Sequence, residues 1–326
     1  MAIRVLLPQP VLPEGYDHLR AHGYETVEGR GIQEDDIIAD IKDCDAIIAR
    51  TVKITKKIID AAPKLKIILR HGAGYDGVDL EAALQHNVLV VIAGDANSIS
   101  VAELTIFYML YCSRNFKSVL EHYVNDYRYA KFGIPKTELN GKTLGLIGLG
   151  NIGALVAKKA ALGFDMDVLD YDPFSKGDLP DYIKLVTDRD EIFHNSDYIS
   201  LHLPATKETV HSIGDKEFDL MKESAYLINT ARGSIVDEAA LIRALIEKKI
   251  AGAGLDVLEK EPIDPDNPLL KMENVLTAPH IGGATKEAAT RSSIACAQAI
   301  DDFFNGRTPK FIVPGLCTTI THTTSP

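Results

Sequence analysis

At 326 residues, 46% of them apolar and 25% charged, the chain is too long for one ordinary core, and two domains are expected. Its net charge of −11 offers no basic patch to a phosphate backbone, and no apolar run is long enough to span a bilayer, so neither nucleic acid nor membrane is expected as a partner. Cys44, Cys112, Cys296 and Cys317 stand far apart, without a CxxC pair or metal-ligand spacing, which implies no metal and reduced thiols in the cytoplasm.

The opening stretch MAIRVLLPQPVLPEG has one basic residue and a short apolar run broken by prolines. It reads as a first strand and not as a secretory signal. Short apolar runs then alternate with helical patterns nearly throughout, the signature of parallel sheets built from βαβ units. In the first hundred residues the strand candidates are Ile3–Leu7, Ala46–Ala49, Ile67–Arg70 and Val88–Ile92. A second series begins after Asn140-Gly141, with strands near Thr143–Ile147, Met166–Tyr171, Tyr198–Leu203, Ala225–Asn229, Ala251–Val257 and Val275–Ala278. Six strands suit a complete dinucleotide-binding sheet. Two longer helical patterns, about Ser98–Phe116 and Lys286–Phe304, flank that series as crossings between domains, and Arg307 to about Gly315 returns to the first domain. The expected division is a discontinuous substrate domain, 1–98 and 287–316, a dinucleotide-binding domain, 99–286, and a loose tail, 317–326.

The sharpest local signal is Thr143-Leu-Gly-Leu-Ile-Gly148-Leu-Gly150-Asn-Ile-Gly153, an apolar strand running into GxGxxG and then a helix. Gly148 permits a tight turn, Gly150 lets the backbone approach a pyrophosphate and Gly153 lets the helix pack on the strand. The helix N-terminus adds N–H groups and a favourable dipole for phosphates. Ile152, Leu155, Val156 and Leu162 form its apolar face, with Gly163 placed to stop it. The next strand ends at Asp172, placed to accept from adenosine ribose hydroxyls. That acid would repel a 2′-phosphate, and no arginine follows in Pro173-Phe-Ser-Lys176, so NAD is expected over NADP, with Lys176 the one cation nearby.

Hydride transfer between a nicotinamide and a carbonyl needs a proton donor and a cation to polarise the carbonyl. Three segments, each just after a strand of the second sheet, offer such groups where open α/β folds bind ligands. Leu227-Ile-Asn-Thr-Ala-Arg232-Gly233 brings an arginine able to fork onto a carboxylate, Gly254-Leu-Asp256-Val-Leu-Glu-Lys-Glu261-Pro262 brings acids, and Leu276-Thr-Ala-Pro-His280-Ile-Gly-Gly283 brings a histidine. Taken singly, the arginine and the acids equally suit a solvated surface, and His280 suits a structural histidine.

Taken together and in order, LGLIGLGNIG, NTARG, LDVLEKEP and APHIGG, preceded by NSISVAE at Asn97–Glu103, resemble the motifs of the D-isomer-specific 2-hydroxyacid dehydrogenase family over about residues 1–314. The resemblance implies an α/β protein with two doubly wound parallel-sheet domains, a Rossmann NAD-binding domain and a flavodoxin-like substrate domain, and an active site in the cleft between them. It implies that Arg232 binds and polarises the substrate, that His280 is the general acid/base and that Glu261 hydrogen-bonds His280, raising the imidazole pKa and fixing its orientation. The loop Arg70–Asp76 resembles the family's substrate loop, with amides of Ala73, Gly74 and Tyr75 as a nest for a carboxylate. Gly77 stands where the family usually has asparagine, which implies a softer loop. Asp256 resembles the residue that orients the nicotinamide amide, and His202, Pro204 and Thr209 resemble the pyrophosphate and nicotinamide loop. Asn151, Ile152, Thr230, Ala231 and Gly282 complete the expected cofactor set.

The reaction so implied is NAD-dependent hydride transfer to or from C2 of a small 2-hydroxy/2-oxo acid, of phosphoglycerate or hydroxypyruvate/glyoxylate type. The implied assembly is a homodimer paired through the dinucleotide domain, with the apolar helix at Val101–Leu110 contributing. Formate-oxidising members resemble the chain but pair the histidine with glutamine where Glu261 stands. NAD-sensing corepressors share the scaffold and bind protein partners, with segments beyond the compact core that this chain lacks. The length leaves no room for the regulatory domains of some phosphoglycerate enzymes, so no amino-acid feedback site is expected.

Overall fold

The computed structural model describes residues 2–175 and 179–315. Lys176 and the tail 317–326 lie outside the described residues. The chain divides into two compact units, Met1–Asn97 with Gly283–Pro326, and Ser98–Gly282. The divisions fall one residue and four residues before those expected from the sequence. Local contacts explain the second offset: a Cβ on Gly283 would stand 2.9 Å from the Asn97 amide nitrogen, and Thr285 caps the helix that follows by accepting from the Ala288 amide.

The first unit is built on five strands, β1 (Arg4–Leu7), β2 (Glu25–Glu28), β3 (Ala46–Ala49), β4 (Ile67–Arg70) and β5 (Leu89–Ile92). They are all parallel, in the order β2-β1-β3-β4-β5. The central strands are buried on both faces, which is why AIIA and IIL read as unbroken apolar runs. The segment after the helix Lys286–Phe304 lies antiparallel along β5: Ile92 N donates to Phe311 O and Val313 N to Val90 O, each at 3.0 Å.

The second unit holds β6 (Thr143–Ile147), β7 (Asp167–Tyr171), β8 (Ile183–Leu185), β9 (Tyr198–Leu201), β10 (Tyr226–Asn229), β11 (Gly252–Leu255) and β12 (Val275–Thr277). These strands are parallel in the order β8-β7-β6-β9-β10-β11-β12, so the direction of winding reverses between β6 and β9. That reversal opens a crevice at the carboxyl ends of the strands, where the motif loops lie. One face packs Leu144, Leu146 and Ile228 against Ala102 and Tyr108 of the helix Ser98–Ser113 and Val156 of the helix Asn151–Phe164. The other packs Ile147, Ile199 and Leu227 against Phe193 and Leu241.

Four features depart from the sequence expectation. The first sheet has five strands, not four, because β2 pairs with β1 at its edge. The second sheet has seven strands, not six, because β8 pairs with β7 at the edge. The long helix expected over Ser98–Phe116 stops at Ser113, since Asn115 takes a left-handed φ of 47° before a second helix, Phe116–Tyr123. The helix after the glycine motif runs through Gly163 and ends beyond it, at Asp165 with φ 51°, a conformation aspartate tolerates better than most residues.

Asp170 on β7 is fully buried, and neither carboxylate oxygen has a donor. Burial, reinforced by the neighbouring charge of Asp172, pushes its carboxyl up to about 7. Because the folded pKa is raised, the folded state binds more protons than the unfolded chain between the ordinary aspartate range and pH 7, and stability falls as pH rises through that window. The full penalty, on the order of 4 kcal/mol at about 1.4 kcal/mol per pKa unit, applies above pH 7. Asp170→Ala is therefore expected to raise the melting temperature clearly at pH 8.5 and little at pH 5. Equal shifts at both pH values in thermal unfolding would show that Asp170 does not titrate this way.

Candidate active site

The dinucleotide motif is shaped by contacts that only glycine allows. Gly148 has φ 102°, and a Cβ on Gly153 would lie 2.3 Å from the Gly148 carbonyl oxygen. At Gly150 a Cβ would meet nothing within 4 Å, so open space faces the start of the helix Asn151–Phe164, whose first N–H groups have no side-chain cap. Asn151 and Ile152 are its first two residues. Asp172 lies beside this turn: its Oδ2 accepts from Leu149 N at 3.0 Å and its Oδ1 from Phe174 N at 2.8 Å. Under the turn, His202 is held at about 4 by burial and is therefore neutral. Its Nε2 lies 3.0 Å from Ser200 Oγ, while its Nδ1 is closed off from solvent without a partner. Thr209 donates to Pro204 O at 2.7 Å and accepts from Thr206 N at 2.7 Å, closing the loop after β9. Open space at Gly150, uncapped amides and an orphaned imidazole nitrogen fit a dinucleotide pyrophosphate.

The catalytic candidates stand at the ends of β10, β11 and β12. After β10, Asn229 Oδ1 accepts from Ala231 N at 3.0 Å and its Nδ2 donates to Arg232 O at 2.9 Å, so one buried amide shapes the arginine turn. Thr105 donates its hydroxyl hydrogen to Val101 O, so at the 2.9 Å Thr105–Thr230 contact the Thr230 hydroxyl is the donor. After β11, Asp256 is buried and accepts from Ile281 N at 2.9 Å and Gly282 N at 2.8 Å, one on each oxygen, while its own carbonyl accepts from His280 N at 2.8 Å. Burial drives the Asp256 carboxyl upward against those two amides, and the net shift is up.

This grip sets His280 at φ 55°, a left-handed conformation uncommon for a histidine. Its Nδ1 then lies 3.0 Å from Glu261 Oε2. The Glu261 hydrogen bond lifts the His280 pKa above the ordinary histidine value against the opposing effect of burial, with Arg232 also lowering it. For Glu261, burial pushes up, but the His280 contact outweighs it and the carboxyl stays below its ordinary range. The charge of Arg232 acts on both members of the pair. Arg232, Glu261 and His280 are thus brought together in the second unit, with Asp256 and Asn229 as supports. The sequence assigned no role to Asn229, although an amide ending an apolar strand just before Thr-Ala-Arg-Gly was a signal for a turn clamp.

In the first unit the loop after β4 is shaped by Arg70, which donates to Gly74 O at 3.2 Å and Val52 O at 2.9 Å. Among the described residues, the amides of Ala73, Gly74 and Tyr75 donate to no backbone acceptor. Ser293 donates to Ala289 O at 2.8 Å, so it accepts from Leu12 N and, at 2.9 Å, from His71 Nε2. Burial holds His71 at about 4, so the ring is neutral with its hydrogen on Nε2.

Residues 106–282 match the family described as D-isomer specific 2-hydroxyacid dehydrogenase, NAD binding domain. A D-3-phosphoglycerate dehydrogenase of Archaeoglobus fulgidus is 40% identical over 93% of this chain, which spans 58% of that relative's length. A hydroxypyruvate reductase of Thermotoga maritima is 39% identical over 84% of this chain and 89% of its own. The crystal structure of NAD+-bound 3-phosphoglycerate dehydrogenase from Entamoeba histolytica superposes with a TM-score of 0.82 at 32% identity, over 96% of this chain and 99% of that one. With the glycine turn, the arginine turn and the histidine turn arranged on one seven-stranded parallel sheet, the chain belongs to the D-isomer specific 2-hydroxyacid dehydrogenase family, and residues 106–282 are its NAD-binding domain.

Proposed function

We propose that the chain is an NAD-dependent oxidoreductase that moves a hydride to or from C2 of a small 2-hydroxy/2-oxo acid. The observation that carries this reading is the His280–Glu261 contact, with the charge of Arg232 beside both partners. The relatives' names favour 3-phosphoglycerate and hydroxypyruvate as substrate types. Bound NAD supplies or accepts the hydride. Because Nδ1 of His280 faces Glu261, Nε2 is the nitrogen left to give a proton to the new alkoxide in reduction or to take the hydroxyl proton in oxidation. Arg232 forks onto the acid and polarises the reacting carbonyl. Asp256 acts on the nicotinamide side through the turn it holds, and the amides of Ala73, Gly74 and Tyr75 are offered to a carboxylate.

Asp172, with each oxygen already taking one backbone amide, keeps lone pairs for ribose hydroxyls and repels a 2′-phosphate. A homodimer is supported by the apolar side chains exposed along the second unit, among them Phe107, Leu110, Phe116, Leu120, Tyr123 and Val124. A cytoplasmic setting is supported by the unpaired thiols of Cys44, Cys112 and Cys296.

The reading is tested by NADH oxidation with hydroxypyruvate, glyoxylate, pyruvate and phosphohydroxypyruvate. Turnover with at least one is expected, and His280→Ala should lower kcat by about a hundredfold or more. Since reduction needs protonated His280, its rate should fall as pH rises through a value above the ordinary histidine pKa, and Glu261→Gln should move that fall to lower pH. Silence with every 2-oxo acid would remove the enzyme assignment, and an unmoved profile in Glu261→Gln would remove the role of the pair. For the cofactor, wild-type kcat/KM should favour NAD over NADP, and Asp172→Ala should narrow the preference by about tenfold, the effect of 1.4 kcal/mol. Equal kcat/KM for the two cofactors in the wild type would contradict the role of Asp172. For the assembly, light scattering should give twice the chain mass, and Leu120→Glu should shift it toward the monomer; a monomeric wild type would refute the dimer.

A further inference from the structure

The geometry points to a transition-metal site in the first unit, made by His18, His22 and Asp301 and suited to a zinc-like divalent ion. It rests on none of the oxidoreductase chemistry. His18 lies in the helix Pro13–Ala21 and His22 is the residue that caps it, four positions on and so on the same face. Their rings stack with centroids 4.3 Å apart and planes at 20°. Asp301 lies in the last turn of the helix Lys286–Phe304. One donor atom from each of the three residues lies within 4.8 Å of those from the other two.

The hydrogen-bond pattern suits a metal. His22 Nδ1 is 2.8 Å from the His18 carbonyl oxygen, and a carbonyl only accepts, so Nδ1 carries a hydrogen and Nε2 is the nitrogen left to offer a lone pair. A backbone hydrogen bond of this kind is what fixes the tautomer of a metal-binding histidine. Among the described residues, His18 Nε2 is closed off from solvent and has no partner. Were the cluster only a packing contact, that nitrogen would be expected to donate to the carboxylate beside it, since an unmet buried polar atom is costly.

Asp301 is buried among polar partners. Oδ1 accepts from Tyr24 OH at 3.1 Å and from Asn305 Nδ2 at 2.8 Å, and Oδ2 accepts from Arg307 Nη2. Asp302, also bound to Arg307 at 2.8 Å, adds a second negative charge near the imidazoles. Two imidazoles and one carboxylate form a nitrogen-rich set that favours zinc, cobalt or nickel over magnesium or calcium. Bonds of about 2.0 Å place tetrahedral donors roughly 3.3 Å apart, so binding draws the ligands together. The exposed side chains of His22 and Arg307 leave room for that movement. The expectation of no metal came from cysteine spacing alone, and an HxxxH pair completed by an acid near the far end of the chain gives no local signal.

The test uses the full chain stripped with chelator and titrated with ZnSO4 by calorimetry, with CoCl2 absorption as a reporter of geometry. One zinc per chain, tetrahedral cobalt bands and a raised Tm are expected, with no response to CaCl2 or MgCl2. His22→Gln, a change at an exposed position, should weaken zinc binding by more than about tenfold, the upper loss reported for partners of a ligand being smaller still than loss of a ligand itself. NADH-dependent turnover and the metal-free Tm of that variant should match the wild type. Failure of the wild type to take up zinc at millimolar metal would overturn the site, and so would equal zinc affinity in wild type and His22→Gln.

Discussion

The histidine turn of the second unit hangs on one buried carboxylate. Asp256 spends an oxygen on each of two consecutive amides, Ile281 and Gly282, and its backbone carbonyl takes a third, from His280. Burial pushes its carboxyl upward against the two amides, and the charged form makes stronger bonds to N–H groups than a carboxylic acid does. The benefit of that grip is conformational. A histidine at positive φ costs about 1 kcal/mol or more unless its surroundings over-determine it, and three bonds to one residue do so. Gly282 follows because a Cβ there would lie 2.9 Å from Asp256 Oδ2.

The same device recurs one strand earlier with a neutral group. Asn229 both accepts and donates, so it brackets the Thr230–Arg232 turn from two sides. The strands β10 and β11 pair in register, Asn229 with Leu255, so Asn229 and Asp256 stand at the same level of the sheet. The arginine turn after β10 and the histidine turn after β12 are consequently held by two clamping side chains, Asn229 and Asp256, at the ends of adjacent parallel strands. Rigid strands with clamped turns supply the fixed geometry that electrostatic stabilisation requires.

The parts of the fold that sequence reading recovered are those where one local cause is enough. Apolar runs such as Ala46–Ala49 are buried on both faces and could be little else. The glycine motif is written by the positive φ of Gly148 and the close approach of Gly153 to the Gly148 carbonyl, both within eleven residues. The edge strands escaped because an edge has one neighbour and meets water: Glu25–Glu28 and Ile183–Leu185 are half polar and look like loops. The helix stop at Asp165 escaped because glycine is the usual left-handed residue, and Gly163 lay two positions away. At the site, residue types and their order pointed to Arg232, Glu261 and His280, and the Asn229 clamp, whose bonds reach only two and three residues on, was legible in the same way but not read; the turn-holding role of Asp256 depends on bonds to a segment 25 residues away that no short pattern encodes.

On the proposed function, the identity of residue 261 bears on which of the chemistries resembling this chain it supports. Reducing a ketone creates an alkoxide that must gain a proton, so its acid has to be charged near neutral pH. An ionised Glu261 meets that need, because it lifts His280 by hydrogen bond and by charge together. Glutamine could keep the hydrogen bond but not the charge. Formate gives up hydride to become carbon dioxide with no proton to transfer at the reacting carbon, so a neutral partner suffices there. In the proposed function, the carboxylate at 261 therefore favours proton-coupled hydride transfer. Arg232 opposes it, since the same cation that would anchor an acid also lowers the His280 pKa. Glu261 restores the balance by answering both positive charges at once.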